Sequence, residues 1–158
     1  MRFLIPFIIA SLLMALPALS RDDLKTRDGW SVTQTSKTFS ALVKDTRAAI
    51  KANGMIVVTQ AGPTTAAKNR GITIPGNRVI GVFNNDYAVQ TLATSTAAMI
   101  EAPIRMYVTE NDDGTATLSY KTPTMIFAPY ADEGGPTLAA IAAELDQLFA
   151  KITTDAGN

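Results

Sequence analysis

Two hydrophobic periods alternate along this chain, and that alternation constrains the fold more than any other feature. Residues 29–35 set Trp30, Val32 and Gln34 against small polar residues, the period-two pattern of a strand. Phe39, Leu42, Val43, Ala49 and Ile50 follow at helical spacing, with Lys37, Lys44, Arg47 and Lys51 mainly on the wet side. Ser36 is placed to cap this helix, and Asn53-Gly54 to end it. Residues 55–60 are short, apolar and β-branched, which predicts a buried strand. Ala61-Gly62-Pro63 turns the chain into a short helix that runs to about Arg70 and closes at Gly71. Residues 77–83 predict another strand, in which Gly81 marks a bulge or a close backbone approach. A helix carrying Tyr87, Val89, Leu92 and Ala93 comes next.

Residues 104–109 and 115–120 read as a hairpin around Asp113-Gly114, since Asp-Gly between alternating runs favours a tight turn. Residues 124–127 predict a last short strand and residues 128–135 a loop. Pro136 then opens a helix with Leu138, Ile141, Leu145, Leu148, Phe149 and Ile152 on one face. The resulting order, β-α-β-α-β-α-β-β-(β)-α, is that of a single two-layer α+β domain, with helices packed on a mixed or antiparallel sheet. The domain is expected over residues 29–153, after a charged lead at 21–28 and before a frayed tail at 154–158.

The segment ahead of it has a different logic. Arg2 precedes an apolar run from Phe3 to about Ala15, Pro17 breaks the helix, and Ala18-Leu19-Ser20 supplies small residues where a signal peptidase reads. This is the layout of a secretory signal peptide, expected to be cleaved after Ser20. The run falls short of the roughly 20 apolar residues that span a bilayer. The mature chain is therefore expected in a bacterial periplasm or outside the cell, with no stable membrane anchor.

An exported domain is free to use disulfides, yet this chain has no cysteine, so burial alone must hold it together. It also has no histidine. Without imidazole or thiol, a Ser-His-Asp triad and a cysteine nucleophile are impossible, and zinc, copper and haem lose their usual ligands. No cofactor and no metal are expected. The 14 basic and 14 acidic residues, less Arg2, leave the mature chain near minus one. Such a surface, without a basic run, offers little to nucleic acid or to an anionic membrane.

Asn84, Asn85, Asp86 and Tyr87 form the leading candidate site. They stand where a strand ends and a helix begins, so unpaired N–H groups there can receive an anion or polar ligand beside the Tyr87 ring. The competing reading is that one of them only caps the helix. Thr109, Asn111 and Asp113 fit calcium-loop positions, but Tyr120 stands where a bidentate glutamate belongs, so an exposed hairpin turn is expected. Asp132-Glu133 reads as a solvated loop. Ser40 and Lys44 share a helical face that looks too wet for a nucleophile pair. Tyr107, Tyr120 and Tyr130 line a pocket or belong to the core and sheet surface. Met55, Met106 and Met125 read as core filler.

A longer pattern runs through the middle of the chain. Val57-Val58-Thr59-Gln60 leads to Ala66-Ala67-Lys68-Asn69-Arg70-Gly71-Ile72, then to Val79-Ile80-Gly81-Val82-Phe83-Asn84-Asn85-Asp86. Ala102-Pro103-Ile104-Arg105-Met106-Tyr107-Val108, Gly114 and Leu118-Ser119-Tyr120 complete it. Over about residues 30–150 this order resembles the DUF302 family, a domain of unknown function. The resemblance implies a two-layer α+β fold, often dimeric, and no established activity. It departs in two places: no histidine appears near Gly62-Pro63, and the family's Phe-Gly-Asn-Pro becomes Phe83-Asn84-Asn85-Asp86. If those residues mark a shared site, this chain has lost or rebuilt it. The expected role is a non-enzymatic module, a homodimer by that resemblance, binding a small ligand or a protein partner. The alternatives are an enzyme using carboxylate or tyrosine acid-base chemistry, and a structural or assembly module.

Overall fold

The computed structural model describes residues 24–158, so the expected leader at 1–20 and the start of the charged lead lie outside the described residues. The first strand, β1 (Trp30–Thr35), and the helix after it, α1 (Phe39–Ala52), follow the hydrophobic pattern. The cap is Thr38 rather than Ser36: its hydroxyl accepts from the Ala41 N–H at 3.4 Å. The chain needs those extra residues to leave the strand, and the Thr35 hydroxyl turns it by accepting from the Lys37 N–H at 3.3 Å. Leu42, Thr46, Ala49 and Ile50 form the buried stripe of α1. Gly54, at φ 74°, takes the left-handed conformation that lets the chain double back.

β2 (Ile56–Ala61), β3 (Asn77–Phe83), β4 (Ile104–Glu110) and β5 (Ala116–Lys121) join β1 in one sheet of order β1-β5-β4-β3-β2. Every neighbouring pair is antiparallel. The pattern predicts a buried strand over 55–60, but this order puts β2 at an outer edge, with Ile56 and Val58 exposed. Only Met55, just before it, is buried. The register shifts between Val57 and Thr59, so the bulge lies on β2. Gly81 opposite it is the close approach: a Cβ there would meet Thr59 Oγ1 at 2.2 Å and Pro103 at 2.9 Å. A short helix, α2 (Thr64–Lys68), links β2 to β3, and α3 (Asn85–Thr94) follows β3.

The largest departures lie after β5. Residues 124–127 are helical, in α4 (Pro123–Phe127), and make no last strand. Thr122 caps that helix, accepting from the Met125 N–H at 3.3 Å, and Pro123 at the first helical position fixes φ in advance. A 3-10 turn (Ala128–Tyr130) leads directly into α5 (Ala131–Gly157), so the expected loop over 128–135 is mostly helical. Gly135, at φ 53° and ψ −150°, breaks α5, and Pro136 restarts it. The expected frayed tail is also helical. Ala156 is buried, its carbonyl accepts from Lys37 Nζ at 2.9 Å, and Asp155 accepts from Asn53 Nδ2 at 2.8 Å.

The domain is two-layered, as the pattern predicts. Ile80, Met106, Val108 and Leu118 on one sheet face meet Leu42 and Ile50 of α1 and Leu145, Phe149 and Ile152 of α5. Tyr120 and Phe149 join the layers, with ring centroids 5.4 Å apart and planes tilted by 53°.

Candidate functional site

Side chains alternate across a sheet, so the residues between those core positions point to the opposite face. The register arranges them in transverse rows. Trp30 of β1 stands opposite Lys121 of β5, and Arg105 of β4 opposite Gly81 of β3. One step beyond the Met106–Tyr120 pair on each strand, Arg105 stands beside Lys121. The next row on this face runs Val32, Ser119, Tyr107, Val79 and Ala61, and a third runs Gln34, Thr117, Thr109 and Asn77. Aromatic and cationic residues therefore gather at one end of the face and neutral polar ones at the other.

A hollow of about 720 Å³ opens over the first two rows. Trp30, Lys121, Arg105, Tyr107 and Val79 line its sheet side, and Met125, Ile126 and Pro129 of the segment after β5 wall its end. The volume lies within the range of ordinary small-molecule sites. The segment that walls it is the one expected as a strand and found as a helix: α4 supplies Met125 and Ile126 to the lining.

The charges are unevenly matched. Lys121 Nζ lies 5.9 Å from the Trp30 ring centroid, and Arg27 Cζ lies 5.6 Å from it, both at cation–π range. Among the described residues, neither Lys121 nor Arg105 has a carboxylate within 4 Å. Glu101 at the rim is held by the Tyr130 hydroxyl, which donates to it at 2.7 Å. That bond, then burial, then the charges of Glu101 and Glu133, push the Tyr130 phenol above its ordinary value. Asn77 Nδ2 donates to the Tyr107 oxygen, which leaves the Tyr107 proton for another acceptor.

Asn84, Asn85, Asp86 and Tyr87 come together at the start of α3. Asn84 is the cap, its side-chain oxygen accepting from the Asp86 and Tyr87 N–H groups at 2.8 and 3.3 Å. Its Nδ2 donates to the Gly54 carbonyl at 3.0 Å, tying α3 to the turn after α1. Asn85 and Asp86 are exposed. Tyr87 is half-buried, its hydroxyl 3.5 Å from Glu144, and burial followed by the Glu144 charge raises its pKa. The space beneath, bounded by Met55, Tyr87 and Phe127, is about 30 Å³, enough for one water.

Asp113 belongs to the hairpin turn, where it accepts from the Thr115 N–H at 2.9 Å and the Thr115 hydroxyl at 2.6 Å. Asp132 and Glu133 sit in the first turn of α5, and Glu133 accepts from Ser95 at 2.6 Å. Ser40 and Lys44 are exposed on α1. Of the three tyrosines, Tyr107 faces the basin, Tyr120 is a core residue reaching its floor, and Tyr130 holds the rim glutamate. Period-two alternation in the strand over residues 104–109 is the one signal that could have placed Arg105 and Tyr107 on a common face, and the sequence reading did not single out Arg105. Nothing along the chain showed that Trp30 and Lys121 would be brought beside them.

A family model described as DUF302, a domain of unknown function, matches residues 30–155. Among solved structures, the chain is similar to an uncharacterized conserved DUF302 protein from Bacillus stearothermophilus, at a TM-score of 0.72 and 19% identity. The match covers 81% of this chain and 98% of that one, and at this identity it shows the shared fold. No curated protein matches the chain.

Proposed function

The chain belongs to the DUF302 family, whose function is unknown, and from that premise we propose that it is an exported, non-enzymatic domain binding a small ligand on the open face of its sheet. The observation that carries this reading is the basin of about 720 Å³, in which ring surface, aliphatic surface and free hydrogen-bonding groups converge. The turn at Asn84 offers no comparable room, so the binding role goes to the sheet face and Asn84 acts as a cap. The absence of histidine and cysteine supports recognition over reaction, and the leader-like residues 1–20 support export.

Native mass spectrometry of the chain recovered from fractionated bacterial cells tests the reading. The expected result is a periplasmic protein lacking its first 20 residues and carrying one small molecule per chain, lost in a Val79→Trp variant that fills the basin. A ligand-free spectrum under every gentle condition, or a dimer whose contact covers this face, would remove it.

A further inference from the structure

Positive charge in the basin exceeds what the fold uses. Arg105 and Lys121 stand side by side on neighbouring strands, an arrangement that costs stability when nothing neutralises it. Among the described residues neither has a carboxylate within 4 Å, and Glu101, which also lines the hollow, already accepts from Tyr130. Lys121 is steadied over Trp30, whereas the exposed Arg105 has no partner among the described residues. The same hollow holds Tyr107, with a hydroxyl proton to donate, beside the aliphatic surface of Val79 and Ile126.

Resting on the binding role proposed above, we infer that the ligand is a small organic monoanion with a flat apolar body. Its acid group lies between Arg105 and Lys121, and its body lies along Tyr107 and Val79. A guanidinium fork beside an ammonium suits one singly charged acid group, carboxylate or sulfonate, and its charge relieves the repulsion between them. A phosphate finds less here than at the sites that usually hold it, where free backbone N–H groups at helix starts or loops add to the side-chain cations. Here the strands that form the floor spend those groups on the sheet ladder. A cation is disfavoured by the same two residues.

Two fluorescent probes of one ring system test the inference on the chain as recovered from cells. Anilinonaphthalene sulfonate is an aromatic monoanion, and phenylnaphthylamine is its counterpart without the acid group. The expected result is one site for both, with the anion bound more tightly and its advantage eroded by salt. The Arg105→Gln, Lys121→Gln double variant should weaken the anion by about tenfold or more, the loss expected for a charge-assisted contact, and weaken the neutral probe far less, so that the anion's advantage is lost. Arg105→Lys should recover part of the loss. Equal binding of both probes, with the double variant indifferent, overturns the inference while the binding role stands. Failure of both probes, or binding that Val79→Trp does not disturb, removes the binding role as well. Circular dichroism and thermal melting of each variant confirm that the fold is intact.

Discussion

Phe149 shows how much a single side chain carries in a domain without covalent staples. It is fully buried and packs its ring against Tyr120, so it joins the helical layer to the sheet. Phe149→Ala should lower the unfolding free energy by about 3–5 kcal/mol, the range for emptying a buried aromatic site. Urea denaturation measures it, and a loss below about 1 kcal/mol would mean that the layers close over the gap. Asn84 works on a smaller scale. Its oxygen satisfies two N–H groups at the start of α3 and its amide reaches the Gly54 carbonyl. Asn84→Ala should cost about 1 kcal/mol, and Asn84→Gly less. Ligand binding at the sheet face should be unaffected by either change, which isothermal titration checks.

Among the elements, α5 has the most to reconcile. It runs from Ala131 to Gly157 through a break at Gly135, where φ 53° and ψ −150° lie in a region nearly confined to glycine. Gly135→Ala meets no steric obstacle from neighbours, since nothing lies near the added Cβ. Its cost is therefore pure backbone strain, on the order of 1–3 kcal/mol. Equilibrium unfolding of that variant should show the loss with an unchanged m-value, and an unaltered midpoint would mean that α5 straightens freely. The elements also show where pattern reading succeeds. α1 and the long part of α5 follow from apolar spacing because each buries one stripe. Residues 124–127 are too few for periodicity to separate strand from helix, and Thr122 and Pro123 tip the balance to helix. The apolar run of β2 reads as buried, although its place at the sheet edge depends on the order of strands far apart in the sequence.

At the scale of the whole molecule, Lys37 ties three parts together. Its ammonium lies 2.7 Å from Asp45 of α1 and 2.9 Å from the Ala156 carbonyl near the end of α5, just after β1. The hydrogen bond from Lys37 is the first cause holding the Asp45 carboxyl below its ordinary value. A carboxyl lowered in the folded state adds stability that is present above its unfolded pKa of about 4. That stability is lost as pH falls through the lowered value. The stability gap between the native chain and Asp45→Asn should therefore be open at neutral pH and close as pH drops below about 4. Urea midpoints across that range measure it. Asp155, held low first by Asn53 and then by Lys151, titrates alike in both proteins and cancels. A gap of constant width would show that the contact is only steric. The α+β class, the two main helices, the hairpin and the cap of α3 were legible in the sequence, because each depends on residues close together in the chain. The edge position of β2 and the row that sets Arg105 between Lys121 and Gly81 were decided only by the tertiary structure. Strand order and register bring distant residues onto one face, and the energy that selects them comes from burying the opposite face under α1 and α5.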